Sequence, residues 1–190
     1  MFKKLLLTCL FCSLMSIGDL SAQNNIQRRF VGLNFLQNYG NAYNSIRYIS
    51  AEYSNQAVTA PDTLMLYDVR FGGYIWEYAT LNFDVKGNGD VGRSRACFYC
   101  IGFSQHYSDY DDACKTFNHF YDMLCQKYWY VDFVQDGIDY SATWKDNSTL
   151  CCLRLNYGEA MNGETYWFVS LNYCDINTIN AYTNDAMGDL

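Results

Sequence analysis

The sequence predicts an α+β fold: tandem helix-plus-three-strand units forming a mainly antiparallel sheet, with the helices packed on one face. Three observations predict it. Two stretches, 41–53 and 108–128, repeat apolar residues at helical spacing. Each is followed by three stretches with strand character, separated by Gly-, Asn- and Asp-containing breaks. The stripe Ala42, Ile46, Ile49, Tyr53 also superposes on Ala113, Phe117, Phe120, Leu124 at a constant offset of 71 residues. That offset reads as an internal pseudo-repeat, about 30–103 and 108–174. Two helices on one face of a sheet bury both stripes in a single pair of layers.

The elements follow in order. Residues 1–22, MFKKLLLTCLFCSLMSIGDLSA, have a basic start at Lys3 and Lys4, an apolar run and a small-residue ending, the pattern of a bacterial signal peptide cleaved before Gln23. The run is too short for a membrane span. The remainder, 23–190, is long enough for one core and short for two, so a single domain is expected. Residues 23–29 look like an untied leader, and FVGLNF at 30–35 has short strand character. The helix at 41–53 is followed by a linker with the chain's one proline, Pro61. Strands are expected at 64–71, 74–85 and 95–103, with the glycines of KGNGDVG turning the chain between the last two. Ser108 and Asp111 have capping-box spacing before the second helix. Three further strands are expected at 138–144, 149–157 and 165–174, and the tail after 175 carries no firm pattern.

Composition narrows function more by exclusion than by assignment. Thirteen basic residues face twenty acidic ones, with no basic stripe, so nucleic acid is not an expected partner. No segment after the leader has the length of a membrane helix, so no integral membrane segment is expected. The chain should be periplasmic or secreted. Eighteen tyrosines, twelve phenylalanines and four tryptophans exceed what a small core readily conceals, and tyrosine serves well at half-buried binding surfaces. Tyr74, Trp76 and Tyr78 on one strand and Tyr166 and Phe168 on another oppose the faces assigned to the helices, which makes them the candidate binding surface.

Seven of the nine cysteines lie beyond the leader, an odd number that leaves at least one unpaired within one molecule. Neighbours on a strand point to opposite faces, so Cys151 and Cys152 do not share a metal, and the same reading separates Cys97 from Cys100. Cys114 and Cys125 fall on the core side of their helix. With the inward Cys151 they are either buried small hydrophobes or disulfide partners. No metal or cofactor signature is present: there is no phosphate loop, HExxH or nucleophile elbow. The one cluster of chemically versatile groups is His106 with Asp109, in the loop SQHYSDYDD, a carboxylate–imidazole combination suited to acid–base transfer.

The SAQ ending of the leader, FVGLNF, the FGG at 71–73 and FYDMLCQKYW at 120–129 together resemble uncharacterised small secreted proteins of Bacteroidetes. The resemblance implies export and this architecture, and it carries no catalytic residues. The expected function is an exported binding or protein-interaction module for a protein or small ligand in the periplasm or outside the cell. The alternatives are a structural cell-envelope component and a hydrolase using the His106 loop.

Overall fold

The computed structural model describes residues 25–37, 56–59, 62–85, 96–129, 131–160 and 163–181. The signal region, the expected helix at 41–53 and the KGNGDVG turn lie outside them. A two-stranded ribbon, β1 (Arg29–Phe30) and β2 (Leu33–Asn34), precedes β3 (Gln56–Thr59), β4 (Thr63–Phe71), β5 (Tyr74–Val85) and β6 (Ala96–Tyr107). A helix, α1 (Tyr110–Lys127), leads into β7 (Asp132–Asp136), β8 (Asp139–Lys145), β9 (Thr149–Glu159) and β10 (Thr165–Asp175). The eight long-sheet strands run antiparallel in the order β3-β4-β5-β6-β10-β9-β8-β7.

The expected α+β class is therefore corrected. The fold is mostly β, one large antiparallel sheet plus a ribbon, and its halves are four-stranded meanders, not helix-plus-three-strand units. β7 escapes sequence reading because all five of its residues are exposed, so no alternation marks it.

Tight turns set the register. Gly72 and Gly73 both take positive φ (63° and 77°), the geometry of a two-residue turn that matches strand twist, and Phe71 pairs with Tyr74 across it. Val31 and Gly32 (φ 43° and 83°) turn the β1–β2 ribbon the same way.

α1 is capped one residue later than the sequence suggests. The Asp109 carboxylate accepts the Asp112 N–H at 3.1 Å, with Asp111 and Asp112 in the positively polarised first turn. Its stripe of Ala113, Phe117, Phe120 and Leu124 is buried against the sheet, where Trp76, Phe103, Leu153, Leu155, Val169 and Leu171 are fully enclosed.

The N-terminal segment covers a further part of that face. Phe30 sits within ring contact of Phe71, Phe103 and Tyr173, and Phe35 packs on Phe98. The expected untied leader is thus tied from Ile26 onward. Ile26 N–H donates to Asp146 (2.7 Å), and Arg28 reaches Asp175 (2.7 Å), Thr149 Oγ1 and the Ser148 carbonyl. Its apolar residues are scattered too irregularly to announce a packed strap.

Candidate functional site

The strand faces sort the candidates. Strict alternation would put Trp76 and Ala79 on opposite sides, yet both are fully buried. Asp68, opposite Glu77, takes φ 54°, and the buried pairs Val69–Trp76 and Leu66–Ala79 flank this break in the pleat. Trp76 consequently faces α1, 4.8 Å from the Phe120 ring. Tyr74 leans the same way, edge-on to Phe120, and its hydroxyl meets that of Tyr107 at 2.7 Å. The expected placement of Tyr74 and Trp76 opposite the helix is corrected: both belong to the helix-covered side.

Tyr78, Tyr166 and Phe168 lie on the other face, half-buried, and a residue not grouped with them in the sequence joins them. His106 lies near the end of β6 instead of in a loop, opposite Phe168 in the β6–β10 register. Its ring is 5.9 Å from Tyr78, 5.2 Å from Tyr166 and 6.2 Å from Phe168, and the last two are 6.3 Å apart. Three adjacent strands thus deliver four rings to one patch. Gly158 lies opposite Tyr166, and a Cβ there would come within 2.5 Å of the tyrosine ring, so only glycine lets that ring lie across β9.

Polar groups border the rings. Glu77 Oε2 accepts from the His106 backbone N–H at 3.1 Å and lies 2.8 Å from His106 Nδ1, while Gln105 Oε1 accepts the Glu77 N–H. The His106 and Glu77 side chains are 39% and 46% exposed. Asn156 pairs with Phe168 across β9–β10, and its Oδ1 is buried without a hydrogen-bond partner. A buried acceptor left unmade costs about 1–3 kcal/mol. The signal for His106 was available: Gly102, Ser104 and His106 continue the period-two face of β6, as Asn156 and Gly158 do on β9.

The expected partnership of His106 with Asp109 does not form, because Asp109 is spent on capping α1. The imidazole has Glu77 instead. Among the described residues no hydroxyl or thiol hydrogen-bonds its other ring nitrogen.

The cysteines also depart from expectation. Cys100 and Cys174 form a disulfide, directly opposite one another in β6 and β10 with Cα atoms 4.1 Å apart. Cys114, Cys125 and Cys151 are all free, and Cys125 is exposed, not on the core side. Cys151 is buried beneath the strap, and burial pushes its thiol well above the ordinary range. Tyr99 is an extra residue in β6, so Cys97 opposes Asp84 and Cys100 opposes Asn82. That bulge puts Cys97 and Cys100 on one face, where uninterrupted alternation separates them. Among the described residues no group of three His, Cys, Asp or Glu side chains is placed to hold a metal ion, and no helix is long and apolar enough to cross a membrane.

No family model, curated protein or solved structure matches the chain.

Proposed function

We propose that the chain is an exported binding module whose recognition surface is the sheet face remote from α1, centred on Tyr78, His106, Tyr166 and Phe168. The observation that carries this reading is the convergence of four half-exposed rings from three adjacent strands on one patch, with Asn156 opposite Phe168 at its border. Stacking surface next to a carboxylate, an amide and an imidazole suits a ligand with both flat apolar and hydrogen-bonding groups. The Cys100–Cys174 disulfide fits an oxidising compartment, and the leader pattern at 1–22 fits export.

The experiment compares the mature chain with a Tyr166→Ser/Phe168→Ser double variant as bait against envelope and culture-fluid fractions. Both substituted side chains are half-buried on the outer face, so the variant is expected to keep a cooperative melt. Binding partners retained by the wild type and lost by the variant support the assignment. A set retained equally by both overturns it.

A further inference from the structure

The sheet ends in a second surface of a different kind. β7 is outermost of the eight strands, and no strand lies beyond it among the described residues. The two-residue turn Gly137–Ile138 closes on the Asp136–Asp139 pair. Alternation of the ladder then directs the backbone groups of Asp132, Val134 and Asp136 toward β8, and those of Phe133 and Gln135 toward the open edge. Exposed edges are commonly blunted by lysine, proline or a bulge. β7 has none of these, carries charge only in its terminal aspartates, Asp132 and Asp136, and between them presents Phe133 (44% exposed) and Val134 (55%). Beside it, between α1 and β7–β9, opens a cleft of about 200 Å³ lined chiefly by Phe117, Asn118, Tyr121, Phe133, Tyr140 and Leu155.

We propose that β7 is a docking edge for an extended basic segment of a partner protein, which adds as a further strand and seats an apolar side chain at the mouth of this cleft. Backbone pairing along a free edge supplies affinity, and alternate side chains supply specificity. Phe133 faces α1, with its ring 5.6 Å from Tyr121 and 6.2 Å from Tyr140. A residue opposite Phe133 in the added strand points the same way, into the cleft.

Charge selects the occupant. Asp132, Val134 and Asp136 share the other face, and neither aspartate is in an ion pair among the described residues. Two copies of this edge pairing antiparallel about Val134 would set Asp132 against Asp136 twice, and like charges directly opposite destabilise a strand pair. A segment with lysine or arginine at both of those positions and a β-branched residue opposite Val134 turns the repulsion into attraction. The complement therefore reads basic, polar, β-branched, aromatic, basic.

The probe is a fluorescent peptide carrying KTVFK between Gly-Ser flanks, titrated into the mature chain and followed by anisotropy. Saturable binding that weakens with added salt is expected. Gln135→Pro removes one outward N–H from an edge strand, a position that tolerates proline, and should weaken binding by at least about tenfold, or about 1.4 kcal/mol. The Asp132→Lys/Asp136→Lys variant changes only exposed side chains and should prefer ETVFE to KTVFK, so this arm does not depend on the proline variant folding. The Tyr166→Ser/Phe168→Ser variant should bind KTVFK undiminished, which separates this edge from the aromatic face. Absence of saturable binding overturns the proposal, as does unaltered preference for KTVFK in the charge-reversed variant. A dimer abolished by Gln135→Pro would also overturn it, by giving the edge to a second copy.

Discussion

Replacing Asp175 by alanine tests whether the N-terminal strap is an integral part of the fold. The carboxylate is 1% exposed and holds Arg28 of the strap at 2.7 Å, while its second oxygen accepts the N–H and hydroxyl of Thr178 at 2.9 Å each. Removing one partner of a fully buried pair costs about 3–5 kcal/mol. Arg28 is 31% exposed and keeps its bonds to Thr149 Oγ1 and the Ser148 carbonyl, so the loss here should be about 2–3 kcal/mol, with partial solvation reducing the penalty. That corresponds to a melting temperature lower by roughly 5–10 °C in a chain of this size. Asp175→Asn, which retains acceptor and volume, should lose less.

The pH dependence has a definite sign. Burial alone would raise the Asp175 pKa, but Arg28 and Thr178 outweigh it and hold the carboxyl below its usual range. Asp146 is likewise held low: burial opposes the shift, and the N–H groups of Ser148, Ile26 and Thr149 overcome it. A depressed folded-state pKa contributes stability that is full above the unfolded value, about 3.9, and disappears as pH falls through the lower folded value. Urea melts followed by tryptophan fluorescence should therefore show wild type and Asp175→Asn converging in strong acid and separating at pH 7. Equal midpoints at pH 7 for wild type and Asp175→Ala would refute the reasoning, as would a gap that persists unchanged at pH 2.

Other expectations are as direct. Trp76→Ala, which empties a fully buried site against Phe120, should destabilise by about 3–5 kcal/mol, measured by urea denaturation; a near-neutral result would return Trp76 to the surface. Gly158→Ala drives a methyl into the Tyr166 ring, a movable group, so it should leave the melt within about 1 kcal/mol while weakening partner capture as Tyr166→Ser does. Alkylation of the unfolded, unreduced chain from Gln23 onward should label the five free cysteines Cys97, Cys114, Cys125, Cys151 and Cys152 and spare Cys100 and Cys174, read by peptide mass spectrometry. In the native protein the exposed Cys125 should react before the buried Cys151.

Local patterns were legible where one face is dry and the other wet. The stripe of α1 satisfies that condition along its whole length. Alternation on β9 and β10 marks the apolar face, with Leu153, Leu155, Val169 and Leu171 all buried, although Cys152 and Ser170 on the opposite face are buried too. It failed where the pleat is interrupted: positive φ at Asp68 turns Trp76 inward, and the extra residue Tyr99 brings Cys97 and Cys100 to one side. A strict period of two has no way to represent either event, because each depends on how the partner strand is twisted. The disulfide was hidden for a related reason. Cys100 and Cys174 are 74 residues apart, and their apposition follows from β10 returning to pair with β6, a long-range choice without a local signal. The chemistry of His106 is legible in the sequence, whereas its ring neighbours come from the extension of β6 to Tyr107, which the polar stretch SQHY does not announce.

In the proposed function the two faces of the sheet divide stability from recognition, a division that would account for the aromatic-rich composition. The helix-bearing face consumes its aromatic residues in ring-on-ring packing, as around Phe30 and Phe103, where each ring is worth more as buried area than as a ligand contact. Rings on the opposite face are held in place from beneath, by Gly158 under Tyr166 and by the Glu77–His106 pair beside Tyr78. Their conformational entropy is therefore partly spent before any ligand arrives, which lowers the cost of binding. A patch ordered in this way differs from an exposed fragment of core: polarising one ring should abolish partner capture while the melt stays put, whereas enclosing or emptying a helix-side ring should move the melt first.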